Sequence, residues 1–321
     1  MRHLLRANLR DRAIFSTGLC AILVAGSVLL NAPTAVSVMG GSLKDSATIN
    51  GTMFARDVRG ADALSDLYAR MDYHLQDVRE GLIDVPRILL HRMPDDLATI
   101  ESAADRKALF FRTLLPLMLD ANEAVLRDRA RLIALEQRLA AGETISPREQ
   151  AWLERLAQSY EVDGVNFQQL LRRVDAVPPS LAMAQAAIES GWGTSRFARE
   201  GQALFGQKVF NPDAGMTPAS LDDDDDFQIH AFNGLAEGVR AYVHNLNTHN
   251  AYREFRDRRA GLRLQNRPLD GYELAGLIGK YSERGPDYIR DVRAMIQSNQ
   301  LRAFDGARLE RRPPLAGTRG A

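Results

Sequence analysis

One acidic side chain stands alone in an apolar stretch. Across residues 177–194 the only group able to exchange a proton near neutral pH is Glu189. A carboxyl in such surroundings has two fates. Turned outward at the end of a helix it is a solvated surface glutamate. Turned inward it is desolvated, its pKa rises, and it becomes a general acid able to protonate a departing oxygen. Glycoside cleavage needs that second chemistry, because an unprotonated alkoxide is a poor leaving group. Spacing alone leaves both fates open.

Other chemistries drop out more easily. His230, His244 and His249 have no zinc-ligand spacing, and no His-Glu-x-x-His string occurs, so no metal is implied. The aspartates at 222–226 lack the glycine and terminal glutamate of a helix-loop-helix calcium site. Neither a phosphate-cradling glycine loop nor a Gly-x-Ser-x-Gly elbow is present, which removes nucleotide and serine-hydrolase readings and leaves no cofactor to place. Lys plus Arg equals Asp plus Glu at 41 each, so no overall field argues for a nucleic-acid partner. The single cysteine, Cys20, builds no disulfide.

The elements that must position Glu189 follow from periodicity. Apolar residues recur at helical spacing over 62–80 (Leu64, Leu67, Tyr68, Met71, Leu75, Val78) and again over 104–141, where Pro116 should kink the helix and Gly142 should stop it. Ser146, Pro147 and Glu149 open a further helix with a capping box. From Val174 the texture changes: Pro178, Pro179 and Ser180 precede a small-residue helix ending at Ser190 and Gly191, with Glu189 in its last turn. Two short strands are expected at 204–210 and 227–232 around a Pro/Gly/Asp-rich loop, then helices at 235–247, 272–281 and 287–299. Gly191, Gly193 and Gly206 should allow the tight turns that bring this hairpin over the helix end. The predicted class is α+β, mostly α-helical, with a small β-hairpin lobe and a cleft beside it.

The N-terminus reads as a targeting segment. Arg2, Arg6, Arg10 and Arg12 precede an uncharged run with an apolar heart at 14–30. That is a secretory signal or, since ~18 apolar residues can span a bilayer, an inner-membrane anchor. Either places the remainder on the outer side of the membrane. The expected organisation is 1–40 signal or anchor, 41–56 linker, 57–173 helical extension, 174–304 the Glu189 domain, and 305–321 a disordered tail.

The string SLAMAQAAIESGWGTSRFAREGQALFGQKVF (residues 180–210) resembles the peptidoglycan glucosaminidases, glycoside hydrolase family 73, and within them the Bax-type bacterial branch. HNLNTHNAYREFR (244–256) and YSERGPDYIRDVRAMIQSNQL (281–301) resemble the same branch, and a weaker likeness extends into VPRILLHRMPDDL and KALFFRTLLPLMLDANE. The resemblance covers about 178–301. It implies a lysozyme-like fold and an endo-β-N-acetylglucosaminidase acting on peptidoglycan glycan strands at the periplasmic side of the cell envelope, with Glu189 as catalytic acid. Tyr281, which opens the YSERG string, is carried over as a catalytic or substrate-contacting tyrosine, and Tyr288 in the same stretch as a substrate contact.

The family's second carboxylate belongs to the β-lobe, where a glutamate is usual. This chain departs from the pattern and offers five aspartates just before FQIHAF. Five adjacent charges repel and most must be solvated; Asp226 and Asp224 are the choices for reaching the cleft, because the next strand anchors that end. Without that carboxylate the substrate's own N-acetyl group could attack. Trp192, Phe205 and Phe232 are the aromatic candidates for packing on sugar rings, although Trp192 and Phe205 suit a core beneath the site equally well. Two alternatives stay open: a lytic transglycosylase, in which one glutamate suffices, and a non-catalytic, membrane-tethered wall-binding protein.

Overall fold

A computed structural model of the chain describes residues 46–49, 51–55, 58, 60–209, 215–216 and 228–312. The N-terminal targeting segment, Asp224 and Asp226, and residues 313–321 lie outside them.

The first described elements are strands. β1 (Ser46–Ile49) and β2 (Thr52–Ala55) form an antiparallel hairpin, and β2 pairs in parallel with β3 (Ile88–Leu90). Sequence placed this hairpin in a linker. Thr52 and Ala55 are buried while Ile49 and Phe54 stay exposed, so burial here follows no period of two that a sequence pattern could register.

The helical pattern over 62–80 resolves into α1 (Ala61–Arg70) and α2 (Leu75–Arg79), separated where Asp72 adopts a φ of 50°. The break turns Tyr73 into the core, edge-on to Tyr68 at 5.5 Å. α3 (Ala103–Ala140) runs 38 residues, capped by the Ser102 side chain. It continues through Pro116: residues on both sides of the proline are buried, and that packing outweighs one missing backbone bond. α4 (Pro147–Ser159) starts with the expected Ser146–Glu149 capping box. α5 (Phe167–Arg173) and α6 (Pro179–Ser190) follow, then the short α7 (Arg196–Glu200).

The β-lobe is a three-stranded antiparallel sheet, β4 (Lys208–Val209), β5 (Gly215–Met216) and β6 (Gln228–His230), in the order β4-β6-β5. The strand expected from 204 begins only at 208, because Leu204 and Phe205 turn into the helical core. α8 (Leu235–Thr248), α9 (Arg253–Leu264), α10 (Gly271–Leu274) and α11 (Pro286–Ser298) complete the chain with 3-10 turns at Ala275–Leu277, Gly279–Tyr281 and Leu301–Phe304. The architecture is α+β and dominated by helix.

One hydrophobic core draws on both halves of the chain. Leu64, Tyr68, Phe110 and Met118 from the extension pack in the same cluster as Leu181, Met183, Tyr242 and Val292. α6 is buried nearly all round, from Pro179 to Ala187, as expected of a helix with apolar residues on every face. A smaller core joins the second half of α3 to α4 and α5 through Leu132, Leu135, Leu153, Leu156 and Leu170. The tail expected to be disordered is packed at its start: Val85 donates to the Arg308 carbonyl, the Glu310 N–H donates to the Val85 carbonyl, and Leu309 between them is buried. A single leucine anchors a segment whose Arg/Pro-rich composition otherwise reads as unstructured.

Candidate active site

The helix that carries Glu189 is fixed at both ends before any question of chemistry arises. At its entrance Asn122 of α3 clamps Val177, donating to its carbonyl at 2.8 Å and accepting from its N–H at 3.0 Å. Pro178 has no side chain that can cap α6, so Asp305 does it from outside: it accepts from the Ser180 N–H (2.9 Å), the Ser180 hydroxyl (2.8 Å) and the Gly271 N–H (2.9 Å). A carboxylate at a helix N-terminus is favourably placed for the exposed amides and the helix dipole. Burial nevertheless raises the Asp305 pKa to about 6, only partly offset by the three donors.

At its exit Gly191, Trp192 and Gly193 have φ of 55°, 62° and 78°. The left-handed turn is easy for glycine and strained for Trp192, whose ring is held edge-on by Phe110 and Phe111 of α3 at 5.9 and 5.3 Å, with Lys107 Nζ 4.8 Å from its centre. A Cβ on Gly193 would lie 3.0 Å from Met93 and 3.1 Å from Phe110, so the turn sits flush against the extension.

Between these anchors Glu189 is half-buried. Burial pushes its pKa above the ordinary value; a hydrogen bond from Tyr288 and the positive charge of Arg284 pull it back only in part. Tyr288 donates to Glu189 Oε1 at 2.7 Å and accepts from Gln185 Nε2 at 2.9 Å. Gln185 Oε1 in turn accepts from Tyr242 at 2.7 Å. With Oε1 occupied by a donor, the proton of the neutral acid belongs on Oε2, the oxygen 3.4 Å from where a Cβ on Gly206 would stand. Gly206 has a φ of 60°, so the position facing that oxygen carries no side chain.

Tyr281 is brought beside this acid. Its ring stacks on Tyr288 with centroids 5.7 Å apart and planes at 1°, and Tyr242 and Tyr252 lie within 6.4 Å of it. Its hydroxyl donates to the Phe205 carbonyl at 2.7 Å and so pins the turn that carries Gly206.

The aromatic expectations need correction. Phe205 is buried and stacked on Tyr242 at 3.9 Å, Tyr288 is buried with its hydroxyl on Glu189, and Phe232 is buried against His230 and Gly238. None offers an open face to a sugar, because residues this apolar gain more from core packing than from exposure beside a cleft. Trp192 stays half-buried and faces α3. Sequence reasoning passed over Gln185, Tyr242 and Tyr252. Gln185 had a usable signal, since it lies four residues before Glu189 on the same helix face; the two tyrosines lie on other elements and had none.

Among the described residues no group of three His, Cys, Asp or Glu side chains stands together to hold a metal ion. A broad open hollow over α4 and the following loop, lined by Glu154, Glu161 and Asp163, shares no element with Glu189 and carries no aromatic platform.

A family model described as glucosaminidase, mannosyl-glycoprotein endo-β-N-acetylglucosaminidase, matches residues 164–301. The match contains the whole Tyr242–Gln185–Tyr288–Glu189 chain, while α1 to α4 fall outside it. Over 211 residues the sequence is 35% identical to Protein bax of Escherichia coli (strain K12), a span of 64% of this chain and 74% of that protein. The crystal structure of the catalytic domain of the autolysin Auto from Listeria monocytogenes is a distant match, with a TM-score of 0.31 and 20% identity over 54% of this chain and 96% of that one.

Proposed function

The chain belongs to the glucosaminidase family of glycoside hydrolases, the endo-β-N-acetylglucosaminidases, and on that premise we propose that it cuts the glycan strands of peptidoglycan with Glu189 as the general acid. The observation that carries this reading is the state of the Glu189 carboxyl: half-buried, its pKa raised by desolvation, and one oxygen fixed by Tyr288 so that the other presents the proton. An acid held in this way can protonate the glycosidic oxygen as the bond breaks. The leaving oxygen approaches Oε2 over Gly206. Tyr281 and the Phe205 carbonyl hold the floor of that approach.

Attack on the sugar then comes from a water assisted by Asp226 or Asp224, or from the substrate's own N-acetyl oxygen. The basic and apolar N-terminal segment supports a location on the periplasmic side of the envelope, exported by a signal or tethered to the inner membrane. No helix among the described residues is long and apolar enough to cross a membrane.

The test is release of reducing N-acetylglucosamine ends from purified peptidoglycan sacculi by the full chain, followed by mass spectrometry. Glu189→Gln keeps the shape and removes the proton; it should lower release by roughly 10²–10⁴-fold, the usual contribution of general acid catalysis. Undiminished release by Glu189→Gln would overturn the assignment, and anhydro-muramic ends would identify a lytic transglycosylase instead.

A further inference from the structure

Four polar groups, from Tyr242 through Gln185 and Tyr288 to Glu189, run in one direction through an otherwise apolar core. We infer that Gln185 and Tyr242 are positioning residues for the acid: the buried amide, locked by the Tyr242 hydroxyl at 2.7 Å, compels Tyr288 to aim its proton at Glu189 Oε1. The inference rests on Glu189 being the general acid, and it goes beyond that reading by assigning work to two residues that touch no substrate.

The logic is one of donor counting. Tyr288 has a single hydroxyl proton, and its neighbours are an amide and a carboxyl. With Gln185 Nε2 facing it, Tyr288 can only accept from the amide and must donate to Glu189. Turned over, the amide would present Oε1 to Tyr288 and compete with Glu189 for that proton. Tyr242 prevents the turn. It is fully buried, and among the described residues its hydroxyl has one hydrogen-bond partner, Gln185 Oε1. A flipped amide would leave the Tyr242 proton unsatisfied in an apolar core, at a cost of about 1–3 kcal/mol. Gln185 is itself fully buried, so the flip would strand that proton away from bulk solvent. In a low-dielectric interior each bond of such a chain also polarises the next.

The consequence for Glu189 is orientational as well as electrostatic. Its plane is set by Oε1, and the proton-bearing Oε2 is held toward Gly206. Among the described residues the groups facing this carboxyl are Tyr242 of α8, Tyr252 of the turn before α9, Tyr281, Tyr288 of α11 and, as the one cation, Arg284; the tyrosines stay neutral because burial raises each of them. The donor from Tyr288 is therefore the main adjustable influence on the ionised form.

The experiment is a double-mutant cycle on the full chain, read by the ¹³C titration of the Glu189 carboxyl, assigned with Glu189→Gln, and by kcat and KM on purified sacculi. Tyr288→Phe deletes the donor and moves the titration to higher pH. Tyr242→Phe, two groups away, should move it in the same direction and no further, and should do nothing more in the Tyr288→Phe background. Its kcat should fall by roughly tenfold with KM within a factor of about two, a fraction of the 10²–10⁴-fold that an acid catalyst supplies.

A residue that merely packs would lower the melting temperature and leave the titration alone. Should Tyr242→Phe not fold, Gln185→Met carries the same expectations. An unmoved titration in both variants, or a double-variant shift equal to the sum of the single shifts, overturns the inference. Failure of the unaltered chain to release sugars would sink the proposed function, while the titration would still decide whether the four groups act as a chain.

Discussion

Removing Arg259 should cost this fold far more than a single side chain usually does. The guanidinium is fully buried. It donates to four carbonyls at the end of α5 and in the link to α6: Arg172 (3.0 Å), Arg173 (3.3 Å), Asp175 (3.1 Å) and Ala176 (3.0 Å). Its Nε faces Asp175 Oδ2 at 4.0 Å, an ion pair without a hydrogen bond. Asp175, also buried, keeps two hydrogen bonds from Arg263 (3.0 and 2.8 Å) and a longer contact with Arg129 (3.8 Å).

Arg259→Met fills the space, strips the donors from four carbonyls and leaves Asp175 short of a cation. Breaking a buried pair from one side costs about 3–5 kcal/mol. Against a total of about 5–15 kcal/mol for a folded protein, that is a loss of two to nearly four powers of ten in the folded-to-unfolded ratio. In urea, with a slope of about 1–3 kcal/mol per molar, the midpoint should drop by about 1 M or more at constant slope.

Arg259→Lys keeps the charge without the planar fork and should recover part of the loss. The variant also has a pH signature. Burial pushes the Asp175 pKa up, but Arg259, Arg263 and Arg129 outweigh it and hold the carboxyl below its usual range. Its stabilisation is therefore present above the unfolded carboxylate pKa and lost as pH falls through the native one, and Arg259→Met should weaken that acid sensitivity. A loss within the ~0.5 kcal/mol typical of surface substitutions would refute the reasoning.

Because the Glu189 pKa is raised, kcat/KM should persist through the ordinary carboxylate range and fall on its alkaline side; a fall already at ordinary carboxylate pH, in a pH–rate profile on sacculi, would contradict the buried acid. Gly206→Ala places a Cβ 3.4 Å from Glu189 Oε2 at a φ of 60°. It should cost about 1–2 kcal/mol in stability and lower kcat beyond what unfolding explains, checked by thermal melts beside turnover. Asp305, with a native pKa of about 6 against an ordinary 3.8, holds its proton longer in the folded state. Its contribution is complete below pH 4 and declines as pH rises through 6, so Asp305→Asn should flatten the fall in melting temperature between those values.

The sequence by itself determined the class and the longer helices, and it singled out Glu189 as the candidate acid. Glu189 was legible as a candidate because it is the one ionisable group in an apolar helix, and the strings around it carried the family; periodicity placed α3, α8 and α11 because each presents one apolar face over several turns, and a capping box placed the start of α4. Tertiary structure decided what a periodic pattern cannot encode. Whether Phe205 and Tyr288 meet sugar or core depends on which elements cover them, and whether Glu189 is shielded depends on Tyr288, 99 residues away. Asp305 capping α6 and Leu309 closing the core are single long-range contacts that leave no local trace. The physical reason is one of range: propensity and capping act within a few residues, whereas burial, which sets both packing and the pKa of the acid, is fixed only when distant segments meet.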